Sequence, residues 1–203
     1  MAEAEQDPPE PGGVELEEPQ PDARRRRIAP YVAVAIAVLL AAFVFVAAGL
    51  DGGSSETADS ALLDQPAPEV RTQTIDGEPF DLATRRGSWA VVNFFGTWCP
   101  PCVREHPEFV RFAESQEATD DEIELYSVIN NDSVANVRAF FAENGGDWPI
   151  LRDDDGAIAV AFGVAKVPET WIVDPFGVVR ARIISNVDAA LLRRVLEQVG
   201  APT

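Results

Sequence analysis

Trp89-Ala-Val-Val-Asn-Phe-Phe95, followed two residues later by Trp98-Cys99-Pro100-Pro101-Cys102, decides how the rest of the chain is read. The nearly unbroken apolar run reads as a buried strand. The stretch from about Pro101 to Ser115 reads as a helix. The two cysteines at this junction are the only ones in 203 residues. A C-x-x-C where a strand turns into a helix is the setting of a redox-active dithiol. The first cysteine then stands at the helix N-terminus, where unpaired N–H groups and the helix dipole favour a thiolate. Cys99 is the expected nucleophile, as the exposed cysteine at the helix start. Cys102, one turn further in, is the expected resolving thiol, which breaks the mixed disulfide.

Other uses of paired cysteines fit less well. Structural zinc takes about four ligands, and the chain offers two cysteines and a single histidine, His106. Haem attachment needs a histidine directly after the second cysteine, where Val103 stands. A permanently closed structural disulfide stays open as an alternative, although so short a loop restrains little unfolded-chain entropy. No metal and no cofactor are expected beyond the Cys99–Cys102 pair itself. His106 reads as a surface or helix-packing residue.

Working outward, residues 28–50 form an uncharged run of 23 residues. As a helix they would span about 34 Å, enough for a hydrocarbon core of about 30 Å. Arg24, Arg25, Arg26 and Arg27 stand directly before the run, and Asp51 with a polar Gly/Ser stretch directly after it. That asymmetry predicts a single-pass anchor in the cell membrane, with the N-terminus cytoplasmic and the rest extracytoplasmic. A signal peptide cleaved near Val46-Ala47-Ala48 is the alternative, but the run exceeds the usual apolar length of such signals. Residues 1–27 read as a disordered acidic cytoplasmic tail ending in the arginine cluster, with too little apolar surface to order itself.

The formal net charge is −18, and beyond residue 50 stand 26 acidic against 12 basic residues. A nucleic-acid partner is therefore not expected, since phosphate binding needs a basic face. Residues 51–67 read as a linker, and 68–203 as one domain. Within it, Glu69–Leu82 reads as a hairpin around Asp76-Gly77. A second apolar strand spans Ile123–Ile129. A helix follows from Ser133 to Glu143, with Asp132 or Ser133 as its cap. A short strand at Trp148–Leu151 and a short helix at Ala157–Phe162 come next. Glu169–Val173 and Val178–Ile184 pair around Asp174-Pro175-Phe176-Gly177, and Val187–Val199 closes the chain as a helix. Strands interleaved with helices predict an α/β fold, a central mixed sheet covered on both faces.

With these elements placed, residues from about 66 to 199 resemble the thioredoxin fold. They look most like the membrane-anchored thiol:disulfide oxidoreductases of the TlpA and DsbE type, several of which serve cytochrome c maturation. The resemblance rests on Asn93-Phe-Phe-Gly-Thr-Trp-Cys-Pro-Pro-Cys102, on Glu105-His106-Pro107, on Phe162-Gly-Val-Ala-Lys-Val-Pro-Glu-Thr-Trp-Ile-Val-Asp174, and on the anchor before an exported domain. It implies that Pro168 is cis and faces the dithiol, leaving the Val167 backbone free to pair with an extended substrate strand. Pro168-Glu169-Thr170 is especially like the cytochrome c biogenesis branch. That points to apocytochrome c as a substrate, with a transmembrane thiol carrier as electron donor. Asn93 departs from cytoplasmic thioredoxin, which has a buried aspartate there.

Three further residues carry paired readings. Glu105 lies on the same helical face as Cys102. It is either a proton acceptor for that thiol, which the family's acid at this spacing favours, or an ordinary surface carboxylate. Glu169, beside Pro168, either tunes the site or contacts a partner, or does neither. Trp98 either shields the dithiol and shapes the substrate groove, or simply packs. The expected activity is reduction of a specific protein disulfide; a disulfide-forming oxidase and a general extracytoplasmic thioredoxin are alternatives. A binding or metal-delivery module is remote, because related copper chaperones carry C-x-x-x-C and a distant histidine. A thiol peroxidase lacks its Pro-x-x-x-Thr/Ser-x-x-Cys motif here.

Overall fold

The computed structural model describes residues 31–43, 56–117 and 123–202. The chain divides into two compact units, Met1–Gly52 and Gly53–Thr203. In the first, residues 31–43 form helix α1, exposed along its whole length. Among the described residues no helix is long and apolar enough to cross a membrane. The expected span 28–50 runs past both ends of α1, and those ends, like the tail 1–27, lie outside the described residues.

The second unit is built on a six-stranded mixed sheet in the order β1-β8-β7-β4-β5-β6. The strands are β1 (Glu56–Thr57), β4 (Trp89–Phe95), β5 (Ile123–Ile129), β6 (Ile150–Leu151), β7 (Glu169–Val173) and β8 (Val179–Ile184). Strands β4, β5 and β6 run parallel; β7 is antiparallel to β4 and β8, and β1 antiparallel to β8. A separate hairpin, β2 (Arg71–Gln73) with β3 (Pro79–Asp81), turns at Gly77, whose φ of +87° suits glycine. The helices are α2 (Pro100–Glu117), α3 (Val134–Asn144), α4 (Ala157–Phe162) and α5 (Ala189–Val199), with α2 against α5.

Every residue of β4 and β7 is buried, so both faces of the central sheet are covered, as the uninterrupted apolar run at 89–95 implies. Aromatic rings fill the space around it, with Phe94 against Phe162 and Phe162 edge-on to Trp171. Local signals set the helix ends. Ser133 caps α3 by accepting from the Asn136 N–H, and Asp188 caps α5 by accepting from the Leu191 N–H.

The expectation that 51–67 is wholly linker does not hold for its second half. Residues 56–57 add an edge strand to β8, and the Ala58 N–H donates to the Arg182 carbonyl. Asp64 and Ala67 bond the backbone of Val179 and Gly177, while Leu62 and Leu63 pack on the core. Backbone pairing holds this segment, so its polar side chains give no sign of it.

Candidate active site

Strand β4 delivers the chain to the Gly96–Cys99 turn, where the Cys99 N–H donates to the Gly96 carbonyl at 3.1 Å. The Cys99 carbonyl accepts the first helical bond of α2, from the Val103 N–H, which makes Cys99 the helix cap residue. Pro100 and Pro101 fill the first two helical positions and carry no N–H. The first available donor is therefore Cys102, and its N–H points at the Cys99 sulfur, 3.3 Å away. A thiolate on Cys99 would receive that same bond at the positive end of the helix. Here the two sulfurs are joined as a disulfide, with Cα atoms 5.3 Å apart.

Neither cysteine is exposed: Cys99 is 3 % and Cys102 2 % accessible. The expectation of an exposed Cys99 is corrected on that point. Position, not accessibility, separates the two thiols, because only Cys99 caps the helix and faces the neighbouring loop. The antiparallel register of β7 against β4, Glu169 opposite Phe94, brings that loop to the end of β4. The Val167–Pro168 peptide is cis, and the Val167 carbonyl oxygen lies 3.6 Å from the Cys99 sulfur.

Behind the dithiol, Glu105 is 2 % exposed. Asn93 Nδ2 donates to its Oε1 and the Val187 N–H to its Oε2, each at 3.0 Å. Burial pushes its pKa up to about 8, against the pull of those two bonds toward the ionised form. The surface-carboxylate reading fails. Asn93 also donates to Thr170 Oγ1 at 3.1 Å, tying β4 to β7. A carboxyl thus stands behind the dithiol after all, carried by α2 and held by the amide at 93.

Glu169 is 1 % exposed and does not reach the surface. Arg182 grips it with Nε on Oε1 and Nη2 on Oε2, each at 3.0 Å, and Trp171 Nε1 donates to Oε1 at 2.8 Å. The guanidinium also lies over the Trp171 ring, 5.2 Å from its centroid. The partner-contact reading of Glu169 finds no exposed surface to work through. His106 packs among Phe140, Phe141 and Trp148, and burial lowers its pKa. Its Nε2 lies 2.8 Å from the Gly145 carbonyl, an acceptor, so that nitrogen carries the proton. Trp98 alone of the expected site residues is largely exposed.

Asn93, Thr170, Val187 and Arg182 complete the surroundings; the sequence marks Asn93 on its own and Thr170 only as part of Pro168-Glu169-Thr170. Val187 acts through its backbone, which no side-chain pattern marks. Arg182 was not traceable by counting, because the register from the Asp174–Gly177 turn would set Ala181 opposite Trp171, and a shift between Ile172 and Val173 puts Arg182 there instead.

Comparison with known proteins agrees with this geometry. Residues 63–182 match the AhpC/TSA family. The thiol:disulfide interchange protein DsbE of Pseudomonas aeruginosa is 31% identical over 164 residues, covering 79% of this chain and 87% of that protein. The thiol:disulfide interchange protein HelX of Rhodobacter capsulatus is 33% identical over 147 residues, 71% of this chain and 80% of that one. A solved thioredoxin-family thiol:disulfide interchange protein from Chlorobium tepidum TLS superposes with a TM-score of 0.60 at 26% identity, covering 70% of this chain and 99% of that one. With its helix-capping Cys99, its Cys102 partner and the cis peptide beside them, the chain belongs to the AhpC/TSA family and, within it, to the thioredoxin-fold thiol:disulfide oxidoreductases.

Proposed function

We propose that this oxidoreductase is tethered to the cell membrane and works outside the cytoplasm, where it reduces a chosen protein disulfide, with apocytochrome c as the leading candidate. The observation that carries the reducing chemistry is the buried Glu105 carboxyl, held by Asn93 and Val187 behind a Cys99 that caps its helix. Reduced Cys99 attacks one sulfur of the substrate disulfide as a thiolate, and the other substrate sulfur leaves and takes a proton. Cys102 then gives its proton to ionised Glu105 and attacks Cys99. The second substrate thiolate is released, and the Cys99–Cys102 disulfide remains. Two electrons pass from the dithiol to the substrate, and a transmembrane thiol carrier restores them.

In this reading Trp98 and the backbone of Val167 border the substrate, Pro168 shapes the loop, and Glu169 tunes it from behind through Arg182. Membrane tethering rests on the uncharged run 28–50 behind four arginines, and on the exposed Leu39, Leu40 and Phe43 of α1. Residues 1–27 would then be the cytoplasmic tail and 68–203 the extracytoplasmic thioredoxin-like domain. The substrate choice rests on the Pro168-Glu169-Thr170 wording and on the DsbE and HelX likeness.

The test is Cys102→Ser expressed in the native cell. It should accumulate a mixed disulfide through Cys99 with an apocytochrome, whereas Cys99→Ser should lose turnover completely. Reductase activity surviving in Cys99→Ser would end the mechanism; a trapped partner that is no cytochrome would end the substrate assignment. A reporter fused after Thr203 should be active only outside the cytoplasm.

A further inference from the structure

The turn before Cys99 is fastened to a second loop, the one that leaves β5. The Asn130 N–H donates to the Phe95 carbonyl at 2.8 Å. Thr97 donates twice to one oxygen of Asp132, from its N–H at 2.7 Å and from Oγ1 at 2.5 Å. The other oxygen of Asp132 receives the Ser133 N–H at 2.7 Å and Asn136 Nδ2 at 3.0 Å. Partial burial alone would raise this carboxyl's pKa; the bonds from Thr97, Asn136 and Ser133 outweigh it and hold the group below its ordinary range. Trp98 is the residue so delivered. Its Nε1 donates to the Asn130 carbonyl at 3.2 Å, and its indole lies over Gly96 so closely that a Cβ there would meet Nε1 at 2.5 Å. Even so, Trp98 is 55 % exposed beside the dithiol.

Of the two cap candidates before α3, Asp132 and Ser133, it is Ser133 that caps the helix. The Asp132 carboxylate instead spends one of its oxygens wholly on the residue next to Trp98. We infer that Asp132 is a positioning residue for substrate selection: by gripping Thr97 it fixes the turn that presents Trp98, so the indole meets the incoming polypeptide as a preset wall. A wall already in place removes the ordering cost of forming it during binding. The effect belongs to recognition of a polypeptide, since a small disulfide reaching Cys99 needs no wall. This inference rests on the proposal that Trp98 borders the substrate.

The experiment uses the full-length chain in detergent micelles and two probes, a synthetic peptide closed by one Cys-x-x-Cys disulfide and the small neutral 2-hydroxyethyl disulfide. Asp132→Asn keeps the side-chain shape but loses the anionic acceptor. It should raise KM for the peptide about tenfold, the worth of a charge-assisted hydrogen bond, with kcat within twofold and the rate on hydroxyethyl disulfide unchanged. Trp98 emission, isolated by difference from Trp98→Phe, should shift to the red. Thr97→Val keeps the N–H bond and removes the hydroxyl, so it should move KM in the same direction by less. It carries the test if Asp132→Asn fails to fold. A peptide KM unchanged in both variants overturns the inference, and so does a fall in both probes together. Trp98→Ala separates the two ideas. If it leaves the peptide KM untouched, the wall itself fails and the inference with it; if it raises KM while Asp132→Asn does not, only the inference fails.

Discussion

Glu105 and Glu169 are equally hidden from water, at 2 % and 1 % exposed, one a turn of helix past Cys102 and the other next to the cis Pro168. Their partners differ in kind. Glu169 meets a guanidinium in two-point contact and an indole N–H. Glu105 meets an amide and a backbone N–H, and among the described residues no cation is bonded to it. A buried carboxylate with its own cation can stay charged as part of the scaffold. One with neutral donors is pushed toward holding a proton, and here its pKa comes to about 8. The same side chain is thus a structural pin in one place and, in the mechanism proposed above, the proton carrier in the other.

The pin should show itself in stability. Arg182→Met leaves Glu169 buried without its cation and should cost about 3–5 kcal/mol, read as a loss in denaturant or thermal unfolding. Adding Glu169→Gln should recover much of that loss, because the stranded charge is gone. If Arg182→Met alone unfolds no more easily than the parent, the two glutamates do not differ in kind.

The proton carrier should show itself in pH dependence. Glu105→Gln should remove the rise in mixed-disulfide resolution that has its midpoint near pH 8, and lower the alkaline plateau about a hundredfold. Stability should change as well, and its sign is fixed. Folding raises the pKa from 4.5 to about 8, so between those values the folded state holds a proton that the unfolded chain has released. Stability therefore falls as pH rises through that window, by up to roughly 4–5 kcal/mol, and is undiminished below about pH 4.5. In Glu105→Gln that slope should flatten. An unchanged slope would return Glu105 to the role of a second pin.

These partners also mark how far the sequence alone can be read. The apolar run of β4, the C-x-x-C junction, the α5 periodicity and the turn at Asp174–Gly177 are local patterns, and each element stands within a residue or two of its expected place. The hidden features are pairings between distant segments. Glu105 is held by a backbone N–H 82 residues on, and a backbone donor has no letter of its own. The cap of α3 was legible as Asp132 or Ser133, because capping is local, and Ser133 fills it; the grip of Asp132 on Thr97 spans 35 residues. The edge strand Glu56–Thr57 is short and polar, and only its pairing with Ile183 and Ile184 makes it a strand.

Asn93 offers a finer cut. Asn93→Leu keeps the branched outline but removes the donor that favours ionised Glu105. The resolution midpoint should therefore move upward by about one pH unit, with roughly 1–3 kcal/mol lost from the unpaired carboxyl oxygen and Thr170 hydroxyl. A midpoint that stays near 8 would mean that Asn93 only fills space.

The smallest effect tests why one strand can serve both carboxyls. Successive side chains on β7 point to opposite faces. Glu169 and Trp171 meet Arg182 on one side, while Thr170 between them meets Asn93 on the other. Thr170→Val keeps the shape and takes away only the second acceptor of the Asn93 amide, which should cost about 1 kcal/mol. Its coupling in double-mutant cycles should follow the faces rather than the sequence. With Glu105→Gln the effects should be non-additive, because Asn93 links the two groups. With Arg182→Met they should add, although Thr170 is the immediate chain neighbour of Glu169. Coupling to Arg182 as strong as to Glu105 would mean that β7 transmits rather than separates, and the two glutamates would then have to be treated as one network.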